Sequence, residues 1–202
     1  MSQEVQRLCD DDLDPDPLVQ FQRWFAEAAD LPLAEAAALA TASTDARPSA
    51  RMVLVKGWDP NGFVFYSNYE SRKGGELTAN PHAALLFYWQ PLGRQVRIEG
   101  SVHPIAAQES DGYFAARPRA SQISAAASAQ SRVVADRQEL DDRVEELERA
   151  LGDEPVLRPR WWGGYRLDPT NFEFWQHRQD RLHDRIRYLR SASGWHRERL
   201  QP

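Results

Sequence analysis

The chain has 202 residues, of which 42% are hydrophobic and 27% charged, a composition that excludes a disordered protein and favours one folded domain. Its apolar runs are too short to span a bilayer and its acidic N-terminus lacks a secretory signal pattern, so we expect a cytoplasmic protein that does not bind membranes. The net charge is −5, but residues 158–202 hold ten Arg and five acidic residues, which favours a local anion site over a nucleic-acid-binding surface.

The rarer residue types narrow the function further. The single cysteine, Cys9, excludes an internal disulfide bond, and the five histidines lack the spacing of a metal site. Of the 25 basic residues, only Lys56 and Lys73 are lysines. Because Lys and Arg bind anions differently, both lysines become candidate site residues.

In chain order, the first predicted elements are a tail, a helix and a series of strands. We predict a mobile acidic tail over residues 1–15 and a single domain over residues 16–202. Asp16 can cap an amphipathic helix over residues 17–29. Residues 37–44 are rich in Ala and would also suit a helix, but the turn that follows favours a strand. The predicted strands cover residues 37–44, 49–56, 63–67, 82–90 and 94–102.

A basic helix start lies between two of these strands. Ser71 can cap a short helix whose first turn contains Arg72 and Lys73. Cations in a first turn oppose the helix dipole, which is unfavourable unless an anion binds at the same place. This conflict indicates an anion site, although an ordinary surface helix could have the same sequence.

Three helices are predicted in the second half of the chain, over residues 106–116, 122–130 and 134–151. Tyr113, Arg117 and Ser121 recur every four residues, and Ser121 is the expected cap of the second helix. A phenol, a guanidinium and a hydroxyl are good donors to a phosphate. The same three side chains are equally ordinary on a protein surface.

A hairpin is predicted near the C-terminus. Alternating aromatic residues on either side place Arg181, His183 and Arg185 on one face of a strand. Such a face should meet water or an anion, since burying three such groups unpaired is costly. A solvated strand face, with Asp184 paired locally, is the alternative. Many strands, short turns and no alternation of strands with helices together predict a mainly antiparallel β fold, a barrel or a sheet, with flanking α-helices.

The ordered set of motifs resembles the pyridoxine/pyridoxamine 5′-phosphate oxidase family over residues 16–202. Each motif alone is weakly specific, whereas the whole set in this order is specific. The motifs are RMVLVK (51–56), FYSN-x-x-SRK (65–73), RQVRIEG (94–100), YFAARPRASQIS (113–124), SAQSR (128–132), WWGGYR (161–166), FWQ-x4-RLHDR (174–185) and ERLQP (198–202).

The resemblance implies an FMN-binding split β-barrel that works as a homodimer with FMN at the subunit interface. It also implies a set of cofactor-binding residues, with the flavin phosphate near Arg51, Arg72 and Lys73. The full implied set is Arg51, Met52, Val53, Leu54, Lys56, Tyr66, Ser67, Arg72, Lys73, Gln95, Gln130, Ser131, Trp175 and Arg185. The implied substrate-binding residues are Lys56, Tyr113, Arg117, Ser121, Arg181 and His183, the last two also being the implied catalytic residues.

The activity implied by the resemblance is oxidation of pyridoxamine 5′-phosphate or pyridoxine 5′-phosphate to pyridoxal 5′-phosphate, with O2 reduced to H2O2. Two segments depart from the family pattern and bear on the substrate: residues 177–180 replace a small Gly-rich turn, and Ala125-Ala126 replaces a common aromatic. The Arg/Tyr-bearing lid of some members is not found before Asp16. One alternative is a flavin oxidase of the same fold that acts on another reduced aromatic, as the phenazine-biosynthesis relatives do. Another is a non-catalytic flavin- or pyridoxal-phosphate-binding protein.

Overall fold

A closed antiparallel barrel forms the centre of the molecule. The computed structural model describes residues 8–202, with the backbone alone for Asp10. The strands are β1 (Ala36–Ala42), β2 (Pro48–Asp59), β3 (Gly62–Asn68), β4 (His82–Trp89), β5 (Arg94–Pro104), β6 (Trp162–Gln176), β7 (Asp184–Ser191) and β8 (Gly194–Arg199). They pair in the order β3-β2-β1-β4-β5-β6, and β6 pairs again with β3, which closes the ring. β7 and β8 continue the sheet beyond β6.

In residues 8–202, five α-helices flank the barrel, as the sequence predicts for this fold class. They are α1 (Pro17–Ala28), α2 (Arg72–Ala79), α3 (Ala107–Ala115), α4 (Arg119–Ala127) and α5 (Arg137–Leu151). Asp16 caps α1 by accepting a hydrogen bond from the backbone of Leu18 at 2.8 Å, and Ser71 caps α2 in the same way. Both caps are confirmed. Within residues 8–202, no helix is long and apolar enough to cross a membrane.

The main core fills the barrel and is closed by α1. Phe21 of α1 is fully buried and packs edge-on against Phe63, with ring centroids 4.9 Å apart, and against Phe87 at 5.1 Å. Because aromatic side chains bury large apolar areas, this cluster fixes α1 on the barrel. A smaller cluster of Phe114, Ile123, Val156 and Trp162 holds α3 to α5 against the outside of the barrel.

β6 joins these two cores because it is long and pairs with three strands. Its first part pairs with β3 and β5, and its second part with β5 and β7. Gly164 lets the backbone of β6 pass close to Ile105, since a Cβ at this position would lie 2.3 Å from the Ile105 side chain. The first part of β6 thereby places Trp162 beside Tyr66 of β3, and the second part carries Trp175.

Two helix starts differ from the prediction. α4 begins at Arg119 rather than at residue 122, with Pro118 in the cap position, and Ser121 lies inside its first turn. The backbone N–H of Ser121 donates to the carbonyl of Pro118 at 2.8 Å, so Ser121 is not a cap. Pro118 stops α3 from continuing and pre-sets the backbone for the new helix. α5 begins at Arg137, after Asp136 as its cap.

The predicted tail of residues 1–15 is described from Leu8 onward. The Leu8 backbone N–H donates to Asp184 of β7 at 3.2 Å, and its carbonyl accepts from Arg199 of β8 at 2.9 Å. Leu13 is buried in the main core, and the Tyr188 hydroxyl donates to the carbonyl of Asp14 at 2.7 Å. Residues 8–14 therefore lie along the two C-terminal strands, and residues 1–7 of the predicted tail lie outside the described residues.

Candidate active site

One cavity of about 390 Å³ brings together most of the predicted site residues. It lies between the outer face of β2, the end of β3 and the helical layer. Ten of its lining residues belong to the predicted cofactor or substrate sets, and Trp162 does not. The lining comprises Met52, Val53, Leu54, Lys56, Tyr66, Ser67, Lys73, Tyr113, Arg117, Gln130 and Trp162.

Lys73 lies at one end of this cavity and is almost wholly buried. Its ammonium donates three hydrogen bonds to neutral oxygens: Ser67 Oγ at 2.9 Å, Ser71 Oγ at 3.1 Å and Gln130 Oε1 at 2.7 Å. Burial, and next the nearby charge of Arg51, lowers the pKa of Lys73 to about 8. A buried cation with neutral partners is suited to receive an anion.

Arg51 and Arg72 lie beside Lys73 and share one buried carboxylate, Glu76 of α2. Glu76 Oε2 accepts from Arg51 Nη2 at 3.2 Å, and Oε1 accepts from Arg72 Nε at 2.9 Å. Thr41 and Ser49 also donate to Oε2, at 2.5 and 2.6 Å. Burial alone would raise the pKa of Glu76, but the hydrogen bonds from Ser49, Thr41 and the two guanidiniums lower it to about 2. The cations of the first turn of α2 therefore already have one anion beside them, from the second turn of the same helix.

Three aromatic rings form a wall of the cavity. Tyr66 and Tyr113 are stacked with centroids 3.8 Å apart and planes 8° apart, and Trp162 lies parallel to Tyr66 at 5.5 Å. Burial, and then the charge of Glu109, raises the pKa of Tyr66 to about 12, so its hydroxyl stays protonated at neutral pH. The wall is therefore a stack of parallel rings, to which Tyr66 and Tyr113 add two hydroxyl groups.

Arg117 lies over this wall, with its guanidinium carbon 4.7 Å from the Trp162 ring centroid. Its Nη1 is buried and makes no hydrogen bond within residues 8–202, and burial lowers the pKa of Arg117. Ser121 does not line the first cavity. It lines a neighbouring cavity of about 530 Å³ between α4 and α5, which also includes Arg117, Gln130 and Trp162. Lys56, at the other end of the first cavity, pairs with Glu35 at 3.1 Å.

A second group of predicted residues lies on β5, β6 and β7, and none of its members lines either cavity. Gln95, Trp175 and Arg185 are direct neighbours across the three strands. Arg185 Nε donates to Glu173 at 2.7 Å, a bond that raises the pKa of Arg185. His183 joins this row, with its ring 4.6 Å from that of Trp175.

The prediction that Arg181, His183 and Arg185 share a strand face is wrong for the first two. β7 begins at Asp184, so Arg181 and His183 lie in the loop that precedes it. Arg181 has φ +61°, which a strand cannot accommodate, and the Asp180 carboxylate accepts from the backbone of Leu182 at 3.1 Å. His183 Nδ1 accepts from the backbone N–H of Arg178 at 3.0 Å, which holds the loop compact.

Sequence reasoning missed two residues of the site, and eight of the residues that it assigned line neither cavity. The sequence analysis assigns no role to Trp162, which lies in the WWGGYR motif, or to Glu76, which follows Arg72 and Lys73 in the short helix. The spacing of Arg72 and Glu76, four residues apart on a helix, was a signal for their ion pair. Ser131 is exposed, with φ +72°, and lines neither cavity.

The closed antiparallel barrel has the fold of proteins related to pyridoxamine 5′-phosphate oxidase. A structure of a pyridoxamine 5′-phosphate oxidase-related, FMN-binding protein from Nostoc punctiforme matches 90% of this chain and 95% of its own, with a TM-score of 0.74 at 16% identity, which shows a shared fold. A structure of PhzG from Burkholderia lata, in complex with tetrahydrophenazine-1-carboxylic acid, matches 99% of this chain and 100% of its own, with a TM-score of 0.91 at 37% identity.

The sequence comparisons define the family. Residues 26–149 match the family model described as pyridoxamine 5′-phosphate oxidase, and residues 162–202 match the pyridoxine 5′-phosphate oxidase C-terminal dimerisation region. A pyridoxine/pyridoxamine 5′-phosphate oxidase of Rubrobacter xylanophilus is 56% identical over 96% of this chain and 91% of its own length. Another, of Bordetella petrii, is 54% identical over 100% of this chain and 96% of its own length. The chain belongs to the pyridoxine/pyridoxamine 5′-phosphate oxidase family.

Proposed function

We propose that the protein is an FMN-dependent oxidase that converts pyridoxamine 5′-phosphate or pyridoxine 5′-phosphate to pyridoxal 5′-phosphate in the cytoplasm. The observation that carries the proposal is one cavity whose lining joins three cations, Lys56, Lys73 and Arg117, with a stack of aromatic rings. Lys73 lines the cavity together with Lys56, Tyr113 and Arg117, whereas Arg51 and Arg72 lie outside the lining, where both pair with Glu76. Two phosphate groups, one on a flavin and one on a pyridine, suit a site with this many cations.

The residues present fit FMN. Arg72 is 65% exposed and uses only its Nε in the ion pair with Glu76, so its terminal nitrogens can bind a phosphate. Lys73 is a buried cation whose partners are all neutral. Met52, Val53 and Leu54 of β2 also line the cavity, where they would lie along the ring system. When bound, FMN would supply the redox chemistry, accepting a hydride from the substrate and passing two electrons to O2.

A second copy of the chain would complete the site. The group formed by Gln95, Trp175, Arg185 and the 177–183 loop lies outside the cavity of its own chain. The outer face of three neighbouring strands, β2, β1 and β4, is apolar and open. Met52 on β2 is 63% exposed and Tyr88 on β4 is 56% exposed. Tyr88 is a direct neighbour of Gln95, and Met52 lines the cavity. Burying this face in a two-fold dimer would place the partner's Trp175 and its 177–183 loop beside the cavity.

The substrate phosphate would be bound by Lys56, Tyr113, Arg117 and Ser121. Arg117 supports this role because its buried Nη1 has no hydrogen-bond partner among the described residues. A buried, unpaired donor costs free energy, and an arriving phosphate oxygen would remove that cost. Ser121 lines the adjoining cavity, and Arg117 lines both cavities, so one phosphate near Arg117 would be within reach of either lining.

Arg181 and His183 would bind and orient the pyridine ring. Because His183 Nδ1 accepts a backbone hydrogen bond, the neutral imidazole carries its proton on Nε2 and can donate it to a substrate oxygen. Arg181 would hold the substrate so that the exocyclic carbon faces the flavin. The alcohol loses a hydride and its hydroxyl proton and becomes the aldehyde, and the two electrons and two protons reduce O2 to H2O2. The amine gives an imine, which water hydrolyses to the aldehyde and ammonia.

A second candidate function is favoured by the similarity to PhzG, whose structure holds a reduced phenazine. That substrate carries a carboxylate and no phosphate, so it would leave the donors around Arg117 without a phosphate partner. A non-catalytic flavin- or pyridoxal-phosphate-binding protein would show binding without turnover.

Steady-state turnover tests the proposal. The protein reconstituted with FMN should consume O2 and form pyridoxal 5′-phosphate and H2O2 in equal amounts. Unphosphorylated pyridoxine is the matched control, and it should react with a much higher KM because it lacks the phosphate. Equal KM values for the two alcohols, or turnover of reduced phenazines alone, would contradict the proposal.

A further inference from the structure

Glu76 is a buried carboxylate among the cations of the proposed flavin-phosphate site. It is 8% exposed and accepts four hydrogen bonds, from Thr41, Ser49, Arg51 and Arg72. The donors come from β1, β2 and α2, so one carboxylate ties together the three elements around the site. A carboxylate that is paired this fully is ionised, as its lowered pKa shows.

Arg51 has few donors left for a ligand. Its Nη1 donates to the Leu39 carbonyl at 3.2 Å and Thr41 Oγ1 at 2.5 Å, and its Nη2 donates to Ser49 Oγ at 2.5 Å and Glu76 at 3.2 Å. These bonds occupy all four terminal N–H groups of the guanidinium. Arg51 therefore offers an anion mainly its charge and its Nε–H.

Arg72 has the opposite arrangement. Its Nε donates to Glu76 Oε1 at 2.9 Å, and its terminal nitrogens make no hydrogen bond within residues 8–202. The ion pair joins residues four apart on α2, so it fixes the guanidinium next to Lys73 on the first turn. Without this bond, a side chain that is 65% exposed would sample many rotamers.

The net charge of these four side chains also matches the charge of a phosphate. Arg51, Arg72 and Lys73 contribute three positive charges and Glu76 one negative charge, a sum of +2. A phosphate monoester carries a charge of about −1.5 to −2 at pH 7. The carboxylate thus orients two guanidiniums while leaving a net charge that a phosphate dianion neutralises.

We infer that Glu76 is a positioning residue for the phosphate of the flavin, acting by holding Arg72 so that its terminal nitrogens face the phosphate. The inference rests on the proposed function, because it assumes that FMN binds at this end of the cavity. It assigns Glu76 no contact with the flavin or the substrate.

The test compares binding of FMN and of riboflavin, measured by quenching of flavin fluorescence. Glu76→Gln should raise the Kd for FMN about tenfold, the size expected when one charge-assisted hydrogen bond is weakened. The Kd for riboflavin, which lacks the phosphate, should not change. In the Arg72→Ala background, Glu76→Gln should have little further effect, because the residue through which Glu76 acts is gone. Glu70→Gln, which removes an exposed carboxylate just before α2, is the matched control and should leave both Kd values unchanged.

Removing a negative charge could also strengthen anion binding, and salt separates the two effects. At 0.5 M salt, where the Debye length is only about 4 Å, the Coulombic attraction of the phosphate to the exposed Arg72 is weakened, and that to the buried charges is weakened less, whereas loss of orientation is not relieved by salt. Glu76→Gln should therefore weaken FMN binding most clearly at high salt. If Glu76→Gln does not fold, Glu76→Asp retains the charge on a shorter side chain and should also weaken FMN binding.

Several results would overturn the inference. These are unchanged or tighter FMN binding by the Glu76 variants at high salt, equal weakening of FMN and riboflavin, or a full effect of Glu76→Gln in the Arg72→Ala background. Failure of the unaltered protein to bind FMN would refute the proposed function itself, and the inference with it.

Discussion

The titration of Lys73 should make FMN binding depend on pH. The ammonium donates to three neutral oxygens and lies near Arg51, so the pKa of Lys73 is lowered by burial, and next by that charge, to about 8. A phosphate dianion beside it would raise this pKa again. Since the complex would hold the proton more tightly than the free protein, FMN binding above pH 8 should be coupled to proton uptake.

The size of the effect follows from this coupling. Near pH 7 the free protein already carries the proton, so the Kd should be nearly constant. Above pH 8 the Kd should rise about tenfold per pH unit until the pKa of the complex is reached, which makes the Kd at pH 9 about tenfold higher than at pH 7. The phosphate has its second pKa near 6 and stays a dianion throughout this range.

Fluorescence-quenching titrations between pH 7 and pH 9.5 measure this slope. Lys73→Arg is the matched variant, because Arg keeps its charge over the whole range and should abolish the slope. Riboflavin should show no slope in the unaltered protein. A Kd for FMN that stays constant to pH 9.5, or a slope that persists in Lys73→Arg, would refute the reasoning.

Three further predictions concern other parts of the site. Arg117→Met should raise the KM for pyridoxine 5′-phosphate about 10- to 100-fold, the cost of one charge-assisted hydrogen bond, and should leave the KM for unphosphorylated pyridoxine unchanged in steady-state assays. Arg181→Ala should lower kcat about 100-fold through lost orientation of the substrate, while the visible spectrum of bound FMN stays the same; unchanged turnover would show that Arg181 has no such role. Met52→Asp would bury an unpaired carboxylate in the proposed interface, so sedimentation equilibrium should detect monomers where the unaltered protein is a dimer. A dimer of undiminished stability would place the interface elsewhere.

The fold could be predicted because its signals are local. Alternating apolar residues, turns such as Asp59–Gly62, and the caps Asp16 and Ser71 each act within a few residues. The barrel closure could not be read in this way, since it depends on β3 pairing with β6 about a hundred residues away.

Some residues of the site could also be predicted from the sequence. The scarcity of lysine singled out Lys73, which proves to be a buried cation at the end of the cavity. Glu76 was missed because three of its four partners, Thr41, Ser49 and Arg51, lie 25 to 35 residues earlier in the chain. The strand expected to include Arg181 does not extend over that residue, because Arg181 has a positive φ. Nothing in the alternating pattern of the sequence reveals this φ.

The most direct test of the account is to add pyridoxamine 5′-phosphate to the FMN-loaded protein in the absence of O2. The account predicts that the flavin absorbance near 450 nm bleaches, with one pyridoxal 5′-phosphate formed per flavin, and that admitting air restores the absorbance and produces H2O2. A flavin that stays oxidised with this substrate, yet bleaches with an unphosphorylated reduced aromatic, would contradict the proposed activity.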